Sequence, residues 1–260
     1  MSTEIHPQAV VYPGAVLDND VKVGPFAVIG ANVKIGKGSV VGAGAHIQGF
    51  TELGRECQIF SHAVVGSPPQ DLKYKGENTR LKLGDRNVVR EFVTINPGTV
   101  EGSSLTLIGN DNLLMAYCHV AHDCEIGNEN IFANVVNFAG HVQVGDKVVV
   151  GGLAAVHQFC RIGSFSIVGG CSKVVQDIPP YSLCDGHPAK VKSINYVGLK
   201  RRGLPSDTIR ALRKVFKVLF FEDHPLSIAP DLIDQSFKRI PEVKTLIDFV
   251  SFSSQRGICR

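Results

Sequence analysis

Residues 23–42 read Val23-Gly24-Pro25-Phe26-Ala27-Val28-Ile29-Gly30-Ala31-Asn32-Val33-Lys34-Ile35-Gly36-Lys37-Gly38-Ser39-Val40-Val41-Gly42. Val23, Ile29, Ile35 and Val41 stand six apart, glycine follows each, and compact residues stand two places earlier at Ala27, Val33 and Ser39. Strand alternation sends the aliphatic residue and the one two before it to the same side. Each hexad is therefore a short strand plus a corner. The same step runs back through Leu17 and Val11 to Ile5 and forward through Ile47, Leu53, Ile59 and Val65. It resumes in phase at Leu83, Val89 and Ile95. After a thirteen-residue step it continues from Ile108 through Leu114, Val120, Ile126, Phe132, Phe138, Val144, Val150, Val156, Ile162, Val168 and Val174. A fixed short period over this length marks a parallel β-helix rather than an amphipathic helix or a plain sheet.

The fold class is thus all-β. Resemblance to the hexapeptide-repeat proteins adds three hexads per coil, a triangular cross-section and a left-handed winding. Handedness comes only from that resemblance, because ordinary crossovers are right-handed. One coil is then eighteen residues, and stacked coils lie roughly 4.8 Å apart. Composition agrees: 260 residues with 44% hydrophobic content, 27 glycines, 13 prolines and no tryptophan describe a narrow interior filled by small side chains. Seven cysteines without CxxC spacing read as free buried thiols, and argue against a disulfide framework or a structural zinc site. The opening Met-Ser-Thr-Glu-Ile-His-Pro has no basic and apolar leader behind it, and no run approaches the roughly eighteen apolar residues of a membrane span. A cytoplasmic protein without a membrane span is expected.

Two segments leave the ladder, Gly66 to Lys82 and Asn96 to Thr106, and must loop out of the solenoid. Beyond Asp177-Ile178-Pro179-Pro180 the rhythm stops. The expected division is a β-helix over 1–190 and a helical C-terminal domain over 191–260. Ser206 is the expected N-cap of a helix carrying Ile209, Leu212, Val215, Phe216 and Leu219, and a second amphipathic stretch begins near Pro241 with Val243, Leu246, Ile247 and Val250. Net charge is +3, too little to argue for nucleic acid. Its distribution is uneven: residues 190–217 hold nine basic residues and one acid, or +8, which leaves −5 for the remainder.

Candidate chemistry sits on the ladder at Cys118-His119-Val120-Ala121-His122-Asp123-Cys124, Ala139-Gly140-His141 and Val156-His157-Gln158-Phe159. Gly140 follows His122 by eighteen residues and His141 follows Asp123 by eighteen, so these pairs stack one coil apart. Histidine, with an ordinary pKa near 6.5, suits removal of a proton from a hydroxyl. Asp123 is placed to orient His122, and a glycine amide beside it can stabilise an oxyanion, since the missing side chain lets a tetrahedral centre approach. His119 precedes Val120 and therefore points outward.

These motifs, with Gln70-Asp71-Leu72-Lys73, Asp111-Asn112-Leu113-Leu114-Met115 and Gly198-Leu199-Lys200-Arg201-Arg202-Gly203, resemble the UDP-N-acetylglucosamine O-acyltransferases of lipid A biosynthesis over essentially the whole chain. The resemblance implies a homotrimer with each active site between two subunits. It also implies transfer of an (R)-3-hydroxyacyl group from acyl carrier protein to the 3-hydroxyl of UDP-N-acetylglucosamine, with no metal or other cofactor and no covalent acyl-enzyme. On it, His122 is the base, Asp123 its support and the Gly140 amide the oxyanion donor, while His119, His141, His157 and Gln158 position sugar and acyl chain. Gln70, Asp71 and Lys73 serve the glucosamine side. Asn195, Arg201 and Arg202 reach the nucleotide diphosphate or the donor, and Gly170 leaves room for a long acyl chain. The basic stretch suits an acidic carrier protein.

Two positions depart from the family pattern. Asn96 stands where well-known members have histidine, and Val197 where a carboxylate would follow Asn195. A 3-amino sugar is therefore the second candidate acceptor. Two unrelated functions are also compatible with a solenoid of this kind. One is a zinc-dependent carbonic anhydrase of the same fold, in which histidines would converge on the metal; the second is a purely structural solenoid.

Overall fold

The computed structural model describes residues 2–252 and 254–260. Most hexads fold as a two-residue strand whose second member points inward, as at Lys22–Val23, Val28–Ile29 and Lys34–Ile35. Stacking follows the eighteen-residue register, with Val23 beside Val41, Ile29 beside Ile47 and Ile35 beside Leu53. The parallel strands form three sheets, here called the first, second and third faces, which begin at Glu4–Ile5, Val10–Val11 and Val16–Leu17. The winding is that of a left-handed parallel β-helix. Register survives both extrusions, since Leu53 pairs with Leu83 and Leu83 with Ile108. Strands begin at Arg80 and Leu105, so the looped stretches are 66–79 and 96–104, shorter than the spacing predicts. Both leave at the corner between the second and third faces.

The interior is as narrow as composition implies. From Val23 onward the ladder residues are buried, as are the compact residues two places before them at Ala27, Ala45, Cys57, Ala63, Cys118, Cys124, Ala154 and Cys160. Asn87, Asn112 and Asn130 form a polar column among them, in which Asn87 Oδ1 accepts from the Asn112 amide at 3.0 Å and Asn112 Oδ1 from the Asn130 amide at 3.0 Å. A buried backbone N–H is satisfied at each step. Phe132 and Phe138 fill one coil edge to face, 4.7 Å apart, and both are fully buried. Phe132→Ala is expected to cost about 3–5 kcal/mol, read as a lower urea midpoint with an unchanged slope.

The glycines that follow the ladder residues do not make the corners. Corners turn through a left-handed residue three places after the ladder position, and it is usually not glycine: Phe26 has φ 59°, Asp123 58°, His141 60° and Phe159 66°. Glycines directly after the ladder residue are needed for space. A Cβ on Gly36 would lie 2.6 Å from the Gly54 carbonyl, and one on Gly42 would lie 2.8 Å from the Ser61 amide.

After the last coil, strands Ser182–Gly186 and Ala189–Ile194 make an antiparallel hairpin that extends the first face. Helix α1 spans Tyr196–Arg201, α2 Ser206–Phe220, α3 Gln235–Lys238 and α4 Pro241–Ser251. Ile209, Leu212, Val215, Phe216 and Leu219 of α2 are buried, as are Val243, Leu246 and Val250 of α4. Ser206 is the first helical residue rather than the cap; Pro205 occupies that position and makes no side-chain cap bond. Among the described residues no helix is long and apolar enough to cross a membrane.

Candidate active site

The corner between the second and third faces gathers the predicted residues. His122 and Asp123 turn the chain there between His119–Val120 and Glu125–Ile126. Gly140 and His141 turn it one coil above, tied down by the His141 amide donating to the His122 carbonyl at 3.0 Å. Phe159 turns it next, stacked on His141 with centroids 4.6 Å apart. The imidazole of His122 lies directly over Gly140: a Cβ there would stand 2.6 Å from Cε1 and 2.7 Å from Nε2. Among the described residues, no backbone carbonyl accepts from the Gly140 amide.

Asp123 is the electrostatic centre of the cluster. Its side chain is 1% exposed, and His122 Nδ1 lies 2.8 Å from Oδ2. Thr99 reaches it through its amide (3.0 Å to Oδ2) and hydroxyl (2.7 Å to Oδ2), and Ser103 through its amide (2.9 Å to Oδ1). Burial alone would push this carboxyl up; the His122 and Thr99 hydrogen bonds and the nearby His141 outweigh it and hold it at about 2. A carboxylate only accepts, so His122 Nδ1 carries the hydrogen and the neutral ring leaves a lone pair on Nε2, on the Gly140 side. His141 meets His122 edge-on at 5.1 Å, and its Nε2 is 4.0 Å from Asp123 Oδ2. Burial lowers the pKa of His141, opposed by the charges of Asp123 and, from the first loop, Asp71.

His119 is half-buried, with Nδ1 2.7 Å from Thr94 Oγ1, and burial lowers its pKa. His157 and Gln158 are exposed two coils above, the Gln158 carbonyl accepting from Arg256 Nε at 2.8 Å. Gln70, Asp71 and Lys73 lie on the first extruded loop, whose base is held by Asn96 Nδ2 donating to the Ser67 and Pro68 carbonyls at 3.0 and 3.2 Å. Lys73 Nζ pairs with Glu101 of the second loop at 2.6 Å. The remaining predicted residues lie away from this corner. Gly170 is on the edge between the first and second faces. Asn195 caps α1, its Oδ1 accepting from the Gly198 amide at 3.1 Å and its Nδ2 donating to the Phe165 carbonyl at 2.9 Å. Arg201 and Arg202 are exposed beside it, Arg202 lying 3.4 Å from Glu129 Oε2.

The chain is 47% identical over 257 residues to the acyl-[acyl-carrier-protein]--UDP-N-acetylglucosamine O-acyltransferase of Thermodesulfovibrio yellowstonii, covering 99% of each protein. The chain belongs to the UDP-N-acetylglucosamine O-acyltransferase family. Its residues 177–259 match the family described as Udp N-acetylglucosamine O-acyltransferase, domain 2, and residues 106–137 match the bacterial transferase hexapeptide. LpxA from Acinetobacter baumannii has the same fold, with TM-score 0.95 at 44% identity over 98% of this chain and 99% of that one. The UDP-N-acetylglucosamine acyltransferase of Campylobacter jejuni follows with TM-score 0.93 at 39% identity over 98% and 99%.

In this acyltransferase family member, His122, Asp123 and His141 each offer a potential metal-ligand atom, all within 4.8 Å of one another. The pair formed by His122 Nδ1 and Asp123 Oδ2 is too close for neighbouring ligands of a tetrahedral zinc, which stand roughly 3.3 Å apart when each bond is about 2.0 Å. At 2.8 Å it is a hydrogen bond. Thr99, Ser103 and Thr106, whose hydroxyl accepts from the Asp123 amide at 2.8 Å, are the residues that sequence reasoning missed. For Thr99 and Ser103 the signal was the small, polar composition of the second loop; Thr106 lies in the strand that follows it. Asn96 is buried, and its Oδ1 has no hydrogen-bond partner among the described residues.

Proposed function

We propose that this chain is an enzyme that transfers an (R)-3-hydroxyacyl group from acyl carrier protein to the 3-hydroxyl of UDP-N-acetylglucosamine, the first step of lipid A biosynthesis. The observation that carries the mechanism is the His122 imidazole, fixed by Asp123 through Nδ1 and facing Gly140 through Nε2. Nε2 takes the proton of the sugar hydroxyl as its oxygen attacks the thioester carbonyl carbon. The resulting oxyanion is met by the Gly140 N–H. Collapse breaks the carbon–sulfur bond, and His122 returns the proton to the departing thiolate, leaving ester and free carrier thiol. Asp123 stays ionised and steadies the imidazolium.

His119, His141, His157 and Gln158 flank this point along the acyl and sugar path. Gln70, Asp71 and Lys73 approach from the first loop. The relatives' names specify O-acylation, so the hydroxyl acceptor is preferred to the amine. The active unit in this reading is a homotrimer. Two features support it: Phe26, Phe92, Tyr117 and Leu153 form an exposed apolar column along the edge between the first and second faces, and Leu72 is 99% exposed at the tip of the first loop. Gly170, Arg201 and Arg202 sit off the His122 corner, as a cleft shared between copies requires. Cytoplasmic location fits the seven free cysteines.

Incubation with UDP-N-acetylglucosamine and a panel of 3-hydroxyacyl carrier proteins, with products identified by mass, tests the reaction; absence of any acylated sugar nucleotide overturns it. Arg201→Glu places a carboxylate in the stretch carrying +8. It is expected to raise KM for the acidic carrier thioester about ten-fold, more at low salt than at high salt, with kcat little changed. Unaltered KM at low salt removes this patch from donor recognition.

A further inference from the structure

Loop 96–104 leaves the solenoid and returns with its small polar residues wrapped around a single group. A Cβ on Gly102 would stand 2.4 Å from Asp123 Cγ, and one on Gly98 would stand 2.9 Å from Oδ1, so the loop backbone closes against the carboxylate itself. Thr99 bridges both oxygens through its amide, at 3.2 Å to Oδ1 and 3.0 Å to Oδ2, and adds its hydroxyl to Oδ2 at 2.7 Å. Ser103 adds its amide to Oδ1 at 2.9 Å, while its hydroxyl, 3.2 Å from Oδ1, shares its single hydrogen with the Leu105 carbonyl at 2.7 Å. A carboxylate offers about four lone-pair sites. Oδ1 is thus filled by the loop, while Oδ2 is divided between Thr99 and His122.

We infer that Thr99 and Ser103 are positioning residues of the acyl transfer: they fix the rotation of the Asp123 carboxylate so that its remaining lone pair meets His122 Nδ1 and not His141. The competitor is real, because His141 Nε2 lies 4.0 Å from the same Oδ2. Turning the carboxylate toward His141 would free His122 Nδ1, let the ring hold its hydrogen on either nitrogen, and remove the lone pair from Nε2 in part of the population. The hydroxyl of Thr99 occupies the lone pair that this rotation needs. The inference rests on His122 being the base. It adds that the tautomer of that base is set from the extruded loop.

Thr99→Val keeps the shape and the backbone amide and removes only the 2.7 Å bond. Expected is a roughly ten-fold fall in kcat, the rate equivalent of the lower end of a hydrogen bond to a charged group, with KM for both substrates unchanged. In protein labelled with 15N-histidine, the His122 resonances, assigned by their loss in His122→Ala, are expected to report Nδ1-protonated imidazole in the wild type and a mixture in Thr99→Val. Thr99→Ser restores both rate and tautomer. Should Thr99→Val fail to fold, Ser103→Ala is measured the same way, with a smaller change of the same sign. An unchanged His122 tautomer in the folded variant overturns the inference, whether kcat holds or falls. The tautomer readout needs no turnover, so it separates this failure from failure of the base assignment, which would instead appear as an active His122→Ala enzyme.

Discussion

Replacing His122 by alanine is expected to lower kcat by 10²- to 10⁴-fold, the usual loss when a general base is removed. The fold should be indifferent to the change. His122 stands outside the narrow core, its side chain 17% exposed, and the coil is held by backbone bonds on either side, including the Ala121 amide to the Phe138 carbonyl at 3.1 Å. The Asp123 carboxylate loses one of its donors but keeps Thr99 and Ser103, so it is not left as an orphaned buried charge. Circular dichroism and the thermal midpoint should therefore stay close to wild type while turnover collapses. Binding of UDP-N-acetylglucosamine, measured by calorimetry, should persist, because the loss falls on the step that moves the proton. Retention of more than about a tenth of the activity would remove His122 from its role.

How far the sequence carried this reading depends on which residues obey the period. Val23, Ile29 and Ile35, with Ala27 and Val33 behind them, define inward positions through a simple alternation that the strands obey. Because the register is eighteen residues, the meeting of His122 with Gly140, and of Asp123 with His141, could also be read by counting. The corner conformations could not. Phe26, Phe159 and His141 adopt left-handed φ despite their bulk, which local preference disfavours and only the stacked coils enforce. Thr99 and Ser103 escaped for a different reason: a loop that leaves the lattice has no register within itself, so nothing in its spacing says which side chain it packs against. Asn195 shows a third limit. Its chemistry suits a ligand, yet both ends of its amide are engaged, Oδ1 by the start of α1 and Nδ2 by the Phe165 carbonyl of the solenoid.

Gly140→Ala is expected to reduce kcat by about 10²-fold or more, although it adds one methyl group and removes no functional atom. No left-handed φ is present at this residue, so an L side chain brings no backbone penalty. The cost is borne by His122. The new Cβ would lie 2.6 Å from Cε1, 2.7 Å from Nε2 and 3.2 Å from Nδ1, and the imidazole must swing away. It cannot do so freely, since His141 stands edge-on at 5.1 Å and Asp123 Oδ2 holds Nδ1 at 2.8 Å. Rotation therefore breaks the bond that fixes the tautomer. A contact origin makes a second, sharper demand. In His122→Ala/Gly140→Ala the added methyl has no ring to displace, so the double variant should lose little beyond His122→Ala alone, within about three-fold. Losses that multiply instead would mean that Gly140 acts independently of the imidazole, and the close approach of the two would no longer explain why glycine is needed there.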